Sequence, residues 1–230
     1  MHKQRFLISQ YYLNQEGKTS RILSLKKVYL IRHGQTDFNL QGIVQGSGVN
    51  SDLNAEGRQQ AALFFEMYKA VPFDKVYTST LKRSIQSVQG FLDMGLPHEQ
   101  HAGLNEISWG TREGTRITPE EDAYYYNMLQ RWRDGETNVC IEGGESPALV
   151  AARQQPFIDL MLSRTEEETI LICMHGRAMR ILLSVLLRYP LKCMDTFEHQ
   201  NLCLYQLDYT GSMFAVKQYC QVAHLQETRL

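Results

Sequence analysis

Two histidines in this 230-residue chain occupy matching positions. His33 closes the run Val28-Tyr29-Leu30-Ile31-Arg32, and His175 closes Ile170-Leu171-Ile172-Cys173-Met174; Gly34 and Gly176 follow them. Short apolar runs rich in β-branched and aromatic residues read as buried strands. The C-terminal end of such a strand is where α/β sheets place ligand sites. A lone strand-end histidine is more often structural than catalytic. Two of them, with Arg32 beside one, point to a shared site once the strands are neighbours, and the glycines are expected to let a ligand approach the backbone. A guanidinium presents planar paired donors that suit phosphoryl oxygens. Arg83 falls in the first turn of a helix expected after Thr78-Ser79-Thr80, an anion-friendly place. A neutral imidazole attacks phosphorus without bringing a further negative charge to a dianion. The expected chemistry is therefore phosphoryl transfer with His33 as nucleophile, eased by Arg32, Arg83 and a protonated His175.

The elements that position these residues alternate along the chain. Strands are expected at 28–31, 73–77, 98–101, 169–174, 202–207 and 213–219. Helices are expected from the N-cap Asn54, from Thr80 to Met94, at 120–131, from the N-cap Ser146 with Pro147 at its first position to Leu162, and at 178–187. This order predicts an α/β three-layer sandwich with a mostly parallel central sheet flanked by helices. Residues 35–54 read as one long loop, a length that usually signals function. Residues 111–145 lack a strand signal and read as a cap-like insertion, whose Tyr124, Tyr125 and Tyr126 are expected to pack a helix rather than meet a substrate. Residues 1–26, basic through Lys3, Arg5, Lys18, Arg21 and Lys26 against Glu16, read as a flexible or loosely docked tail. Residues 27–230 then form a single catalytic domain.

Composition narrows the partners. The chain is 43% hydrophobic and 21% charged, ordinary for a globular protein, and its net charge of −1 gives no global field to attract nucleic acid. No apolar stretch is long enough to span a membrane. Five cysteines without a Cys-x-x-Cys pair argue against a disulfide scaffold or a zinc site, and make a reducing cytoplasm the expected compartment. No metal or other cofactor is expected. A homo-oligomer has no signature that the sequence displays.

Arg32-His33-Gly34 with Thr36 and Asn39, Thr78-Ser79 with Leu81 and Arg83, Glu106 with Gly110 and Glu113-Gly114, Gly143-Gly144-Glu145-Ser146, and His175-Gly176 form an ordered set. The set resembles the histidine phosphatase superfamily, in particular its phosphoglycerate mutase-like branch, over roughly residues 27 to 188. The resemblance implies that His33 becomes phosphohistidine, that Arg32, Arg83, His175 and Asn39 hold the phosphoryl group, and that Glu106 is the proton donor to the leaving alcohol and then the base for water. Gln45 is a candidate substrate contact, on a segment that departs from the family's usual Pro-Leu-Thr pattern. The long basic insertion of a phosphoglycerate mutase is absent, and residues 119–140 carry Glu120, Glu121 and Asp122 instead. The expectation is thus a metal-independent phosphatase acting on a small phosphorylated metabolite. A cofactor-dependent phosphoglycerate mutase and a non-enzymatic phosphate-binding scaffold are the alternatives.

Overall fold

A computed structural model describes residues 26–226, apart from residue 117 and the side chains of residues 121 and 122. The expected tail therefore lies outside the described residues, except for Lys26. The strands are β1 (Lys26–Arg32), β2 (Lys75–Thr78), β3 (His98–Gln100), β4 (Thr169–Met174), β5 (Leu204–Tyr209) and β6 (Phe214–Gln221). They form one sheet in the order β3-β2-β4-β1-β5-β6, in which β3, β2, β4 and β1 run parallel while β5 and β6 are antiparallel. The helices are α1 (Asp37–Leu40), α2 (Ala55–Tyr68), α3 (Lys82–Gln86), α4 (Gln89–Asp93), α5 (Pro119–Arg133), α6 (Pro147–Ser163) and α7 (Gly176–Leu186).

The central strands are apolar on both faces because both faces are covered. Val28 and Leu30 of β1, with Ile170, Ile172 and Met174 of β4, join a core formed with Val150, Phe157 and Met161 of α6 and Ile181 and Leu182 of α7. Their alternating neighbours Ile31, Leu171 and Cys173 join a second core with Phe64 of α2 and Phe91 of α4. The three layers follow from this period-two division. Trp132, Met128 and Leu129 of α5 belong to the first core, so part of the insertion is built into the body of the fold.

The caps follow local chemistry. The Asn54 side chain accepts from the Gly57 N–H, and the Ser146 side chain accepts from the Leu149 N–H. Such a cap contributes roughly 1 kcal/mol. The loop at 35–54 is less uniform than expected: Thr36 and Asn39 form a capping box around the single turn of α1. The helix expected from Thr80 to Met94 is broken into α3 and α4. Ser87 sits at the break, where its hydroxyl donates to the Arg83 carbonyl at 2.6 Å and accepts from the Gly34 N–H at 2.8 Å. A serine bonded back to the preceding turn bends a helix, and here the bend also satisfies a backbone donor beside His33.

Candidate active site

β1 and β4 are adjacent and parallel, with Arg32 opposite Met174. The next residues beyond that register include both histidines, and the His33 and His175 rings lie with centroids 5.1 Å apart. His33 is 3% exposed and His175 is fully buried. The His33 Nδ1 lies 2.7 Å from the Gly34 carbonyl oxygen. A carbonyl can only accept, so Nδ1 carries the proton and Nε2 keeps its lone pair. Burial holds the His33 pKa well below the usual imidazole value of 6.5, and the Arg83 and Arg32 charges push it the same way, against the Gly34 bond.

His175 differs from expectation. Its Nδ1 accepts from the Arg83 Nε at 3.2 Å, so its Nε2 donates to the Ser79 hydroxyl at 2.7 Å. Burial, then Arg83, then His33 hold its pKa well below 6.5. A positive ring in this place would sit unsolvated against a guanidinium, which opposes the protonated His175 expected from sequence. Arg83 is fully buried. Its Nη1 and Nη2 donate to the carbonyls of Val49 at 2.5 Å and Gly46 at 3.2 Å, which fastens the 45–54 segment to the histidine pair. Burial lowers the Arg83 pKa to about 10, with the Glu106 charge opposing.

Arg32 reaches His199, with Nη1 to Nδ1 at 3.2 Å, while its buried Nε has no hydrogen-bond partner among the described residues. A buried N–H left unpaired costs free energy unless something fills the place. Asn39 uses its Oδ1 to accept from the Thr36 N–H, the Thr36 hydroxyl and the Asn201 Nδ2 at 3.2, 3.1 and 3.3 Å. Gln45 donates to the Thr36 hydroxyl at 2.7 Å and accepts from the Ser51 hydroxyl at 2.6 Å. Both side chains border a cavity of about 250 Å³ that also touches Arg32, Trp109, Tyr124 and Tyr125. Tyr125 packs against the core as expected, with its ring 5.4 Å from Trp109; Tyr124 and Tyr125 also line this cavity, while Tyr126 is 60% exposed.

Glu106 is 8% exposed and sits against the start of α7. Its Oε1 accepts from the Ile107 N–H at 2.9 Å and the Ala178 N–H at 2.8 Å, and its Oε2 accepts from the Arg177 N–H at 3.1 Å. These donors at Arg177 and Ala178 are among those an α-helix leaves unpaired at its first turn. The segment bearing Glu106 is clamped from behind. Glu145 accepts from the Ser108 N–H at 2.9 Å and pairs with Arg153 at 2.7 Å, and Arg153 donates to the carbonyls of Gly103, Asn105 and Glu106 at 2.7, 2.9 and 3.0 Å.

The two glycines serve packing rather than ligand approach. A Cβ on Gly34 would meet the Gly57 carbonyl oxygen at 2.6 Å, and one on Gly176 would meet the His199 ring at 2.7 Å. His199 and Asn201 are the site residues that sequence reasoning missed. The Asn201 Nδ2 donates to the His33 carbonyl at 3.0 Å. Their polar spacing just before β5 was the available signal. Burial, followed by Arg32, drives the His199 pKa down to about 2.

The family model of the histidine phosphatase superfamily (branch 1) matches residues 28–221. The chain belongs to this superfamily. A Yersinia enterocolitica protein named probable phosphoglycerate mutase GpmB is 30% identical over 190 residues, covering 81% of this chain and 86% of the relative. Mouse 6-phosphofructo-2-kinase/fructose-2,6-bisphosphatase 1 is 30% identical over 191 residues, covering 80% of this chain. The match spans only 38% of that longer relative. Among solved structures, the alpha-ribazole phosphatase from Shigella flexneri superposes with a TM-score of 0.75 at 24% identity, covering 85% of this chain and 96% of the other. That likeness is one of fold. The histidine phosphatase motifs quoted from the sequence all fall within the matched span. Among the described residues, no helix is long and apolar enough to cross a membrane.

The electrostatics give a pH prediction. A nucleophilic imidazole works only when unprotonated, and a folded pKa pushed below 6.5 keeps it unprotonated at lower pH. Activity is thus expected to stay intact as pH falls from 7 through the ordinary imidazole value of 6.5, with the acid limb below it. The measurement is a profile of kcat/KM, divided by the separately titrated second ionisation of the substrate. An acid limb centred above 7 contradicts it.

Proposed function

We propose that this chain is a metal-independent phosphomonoesterase that hydrolyses a small phosphorylated metabolite through a phosphohistidine at His33. The observation that carries the reading is the fixed tautomer of His33: the bond from Nδ1 to the Gly34 carbonyl leaves Nε2 as the attacking atom, while the buried Nε of the adjacent Arg32 has no partner among the described residues. Nε2 attacks phosphorus, the bond to the leaving oxygen breaks, and Glu106 supplies that oxygen with a proton. Water then attacks the phosphohistidine, Glu106 takes the proton from water, and inorganic phosphate leaves. Oε2 of Glu106 accepts one N–H where Oε1 accepts two, so Oε2 is the atom with room for the proton in flight. Arg32 and Arg83 supply positive charge, and the Nδ2 of Asn39 is the group left to meet a phosphoryl oxygen. Gln45, held by its bond to Thr36, is the further candidate substrate contact on the cavity wall. Charge and in-line positioning are what such a reaction needs.

The relative named as a phosphoglycerate mutase supports the second reading, transfer back to a sugar acid. The two are separated by one assay in EDTA with 3-phosphoglycerate and a panel of phosphate monoesters. Phosphate release without formation of the 2-isomer is expected. Isomer formation that depends on a bisphosphorylated primer points to the mutase, and activity lost to EDTA contradicts the guanidinium-based mechanism.

A further inference from the structure

Resting on the phosphatase reading above, we propose that the alcohol carried by the substrate is a single aromatic, or similarly flat and apolar, ring system seated between Trp109, Tyr124 and Tyr125. Two cavities meet at Arg32, and both also touch Trp109 and Tyr125. An ester held at Arg32 can therefore direct its alcohol into either.

The first cavity adds Tyr124, Val44 and Ile141 to that shared wall, with Asn39, Gln45, Arg112 and Thr115 as its polar side. Its aromatic side is built in advance: the Trp109 ring stands 5.4 Å from Tyr125 and 5.8 Å from Trp132, and Trp132 is itself buried. A preformed aromatic wall binds a ring without the cost of ordering it. The volume of about 250 Å³ limits the occupant. A cavity of roughly 150 Å³ holds a benzene-sized group, so one ring with a short linker fits and an extended chain does not.

The second cavity, lined by Glu106, Arg177, Arg180 and His199, suits an anionic or hydroxylated alcohol by charge. Its guanidiniums are already engaged. Arg177 pairs with Asp195 and donates to the Tyr125 hydroxyl at 3.2 Å, and Arg180 donates to Asp195 at 2.8 Å and to the Phe197 carbonyl at 2.7 Å. The first cavity, with its aromatic side, is therefore the better seat for a ring.

The test compares 2-phenylethyl phosphate with ethyl phosphate, whose leaving alcohols have similar acidity, and with 3-phosphoglycerate. The expected result is a kcat/KM about tenfold or more higher for the phenylethyl ester. Tyr124→Ala should lower that ratio at least about threefold, and Tyr124→Phe should keep it. The same preference should appear in the Kd values of the matching phosphonates by calorimetry, which need no turnover. If no ester is hydrolysed while the phenylethyl phosphonate still binds about tenfold tighter, the phosphatase reading fails and the ring site stands. Equal binding and turnover of the two alkyl ligands, a preference for 3-phosphoglycerate, or a ratio unmoved in Tyr124→Ala overturns the ring site.

Discussion

His33→Ala is expected to lower phosphate release from any good substrate by a factor on the order of 10⁴ to 10⁶, the scale seen when a covalent nucleophile is removed. The variant should fold. The lost side chain makes one hydrogen bond, to the Gly34 carbonyl, worth about 1 kcal/mol net. Arg32 and Arg83 remain, so phosphate should still bind to the variant while turnover fails. The measurement is a steady-state assay with the melting temperature alongside. Activity within tenfold of the parent, in a folded variant, contradicts the nucleophile assignment.

Glu106→Gln is expected to lower turnover of alkyl phosphates by about 10²- to 10⁴-fold, the usual contribution of a positioned proton donor. A clamp residue and an acid are told apart by the leaving group. Glutamine keeps the size of the side chain and one acceptor oxygen, so part of the contact with the Arg177 and Ala178 N–H groups survives. p-Nitrophenolate leaves without needing a proton, and alkoxides do not. Phosphoryl transfer from p-nitrophenyl phosphate should therefore fall far less than transfer from ethyl phosphate, and a burst of nitrophenol should precede slow release of phosphate. Equal losses on both substrates indicate that Glu106 only fastens the start of α7.

The strands bearing His33 and His175 were legible because both faces of β1 and β4 are buried, which leaves apolar runs without polar interruption. The caps at Asn54 and Ser146 were legible because capping is local chemistry. Other features depend on what the chain meets after folding. The break at Ser87 follows from its bond to Gly34, and the places of His199 and Asn201 follow from the antiparallel pairing of Ile31 with Leu204. The need for glycine at 34 and 176 arises from Gly57 and His199, both distant in sequence. Tyr124 and Tyr125 carry no mark in the sequence that separates a cavity wall from a packed helix. Residue type alone does not reveal that the His175 Nδ1 is an acceptor for Arg83, a partner distant in sequence. Glu145 accepts from the Ser108 N–H and Arg153 donates to the Glu106 carbonyl, so the pair fastens the Glu106 segment in a way that a motif displays only in three dimensions.

The central claim is that the phosphoryl group rests on His33 between the two half-reactions. Rapid quenching of the enzyme with ³²P-labelled substrate, followed by peptide mapping, tests it directly. The account predicts label that is lost in acid, kept in base, located on the peptide containing His33, and absent from His33→Ala. Label on serine or on His175, or full turnover with no labelled enzyme at any quench time, contradicts it.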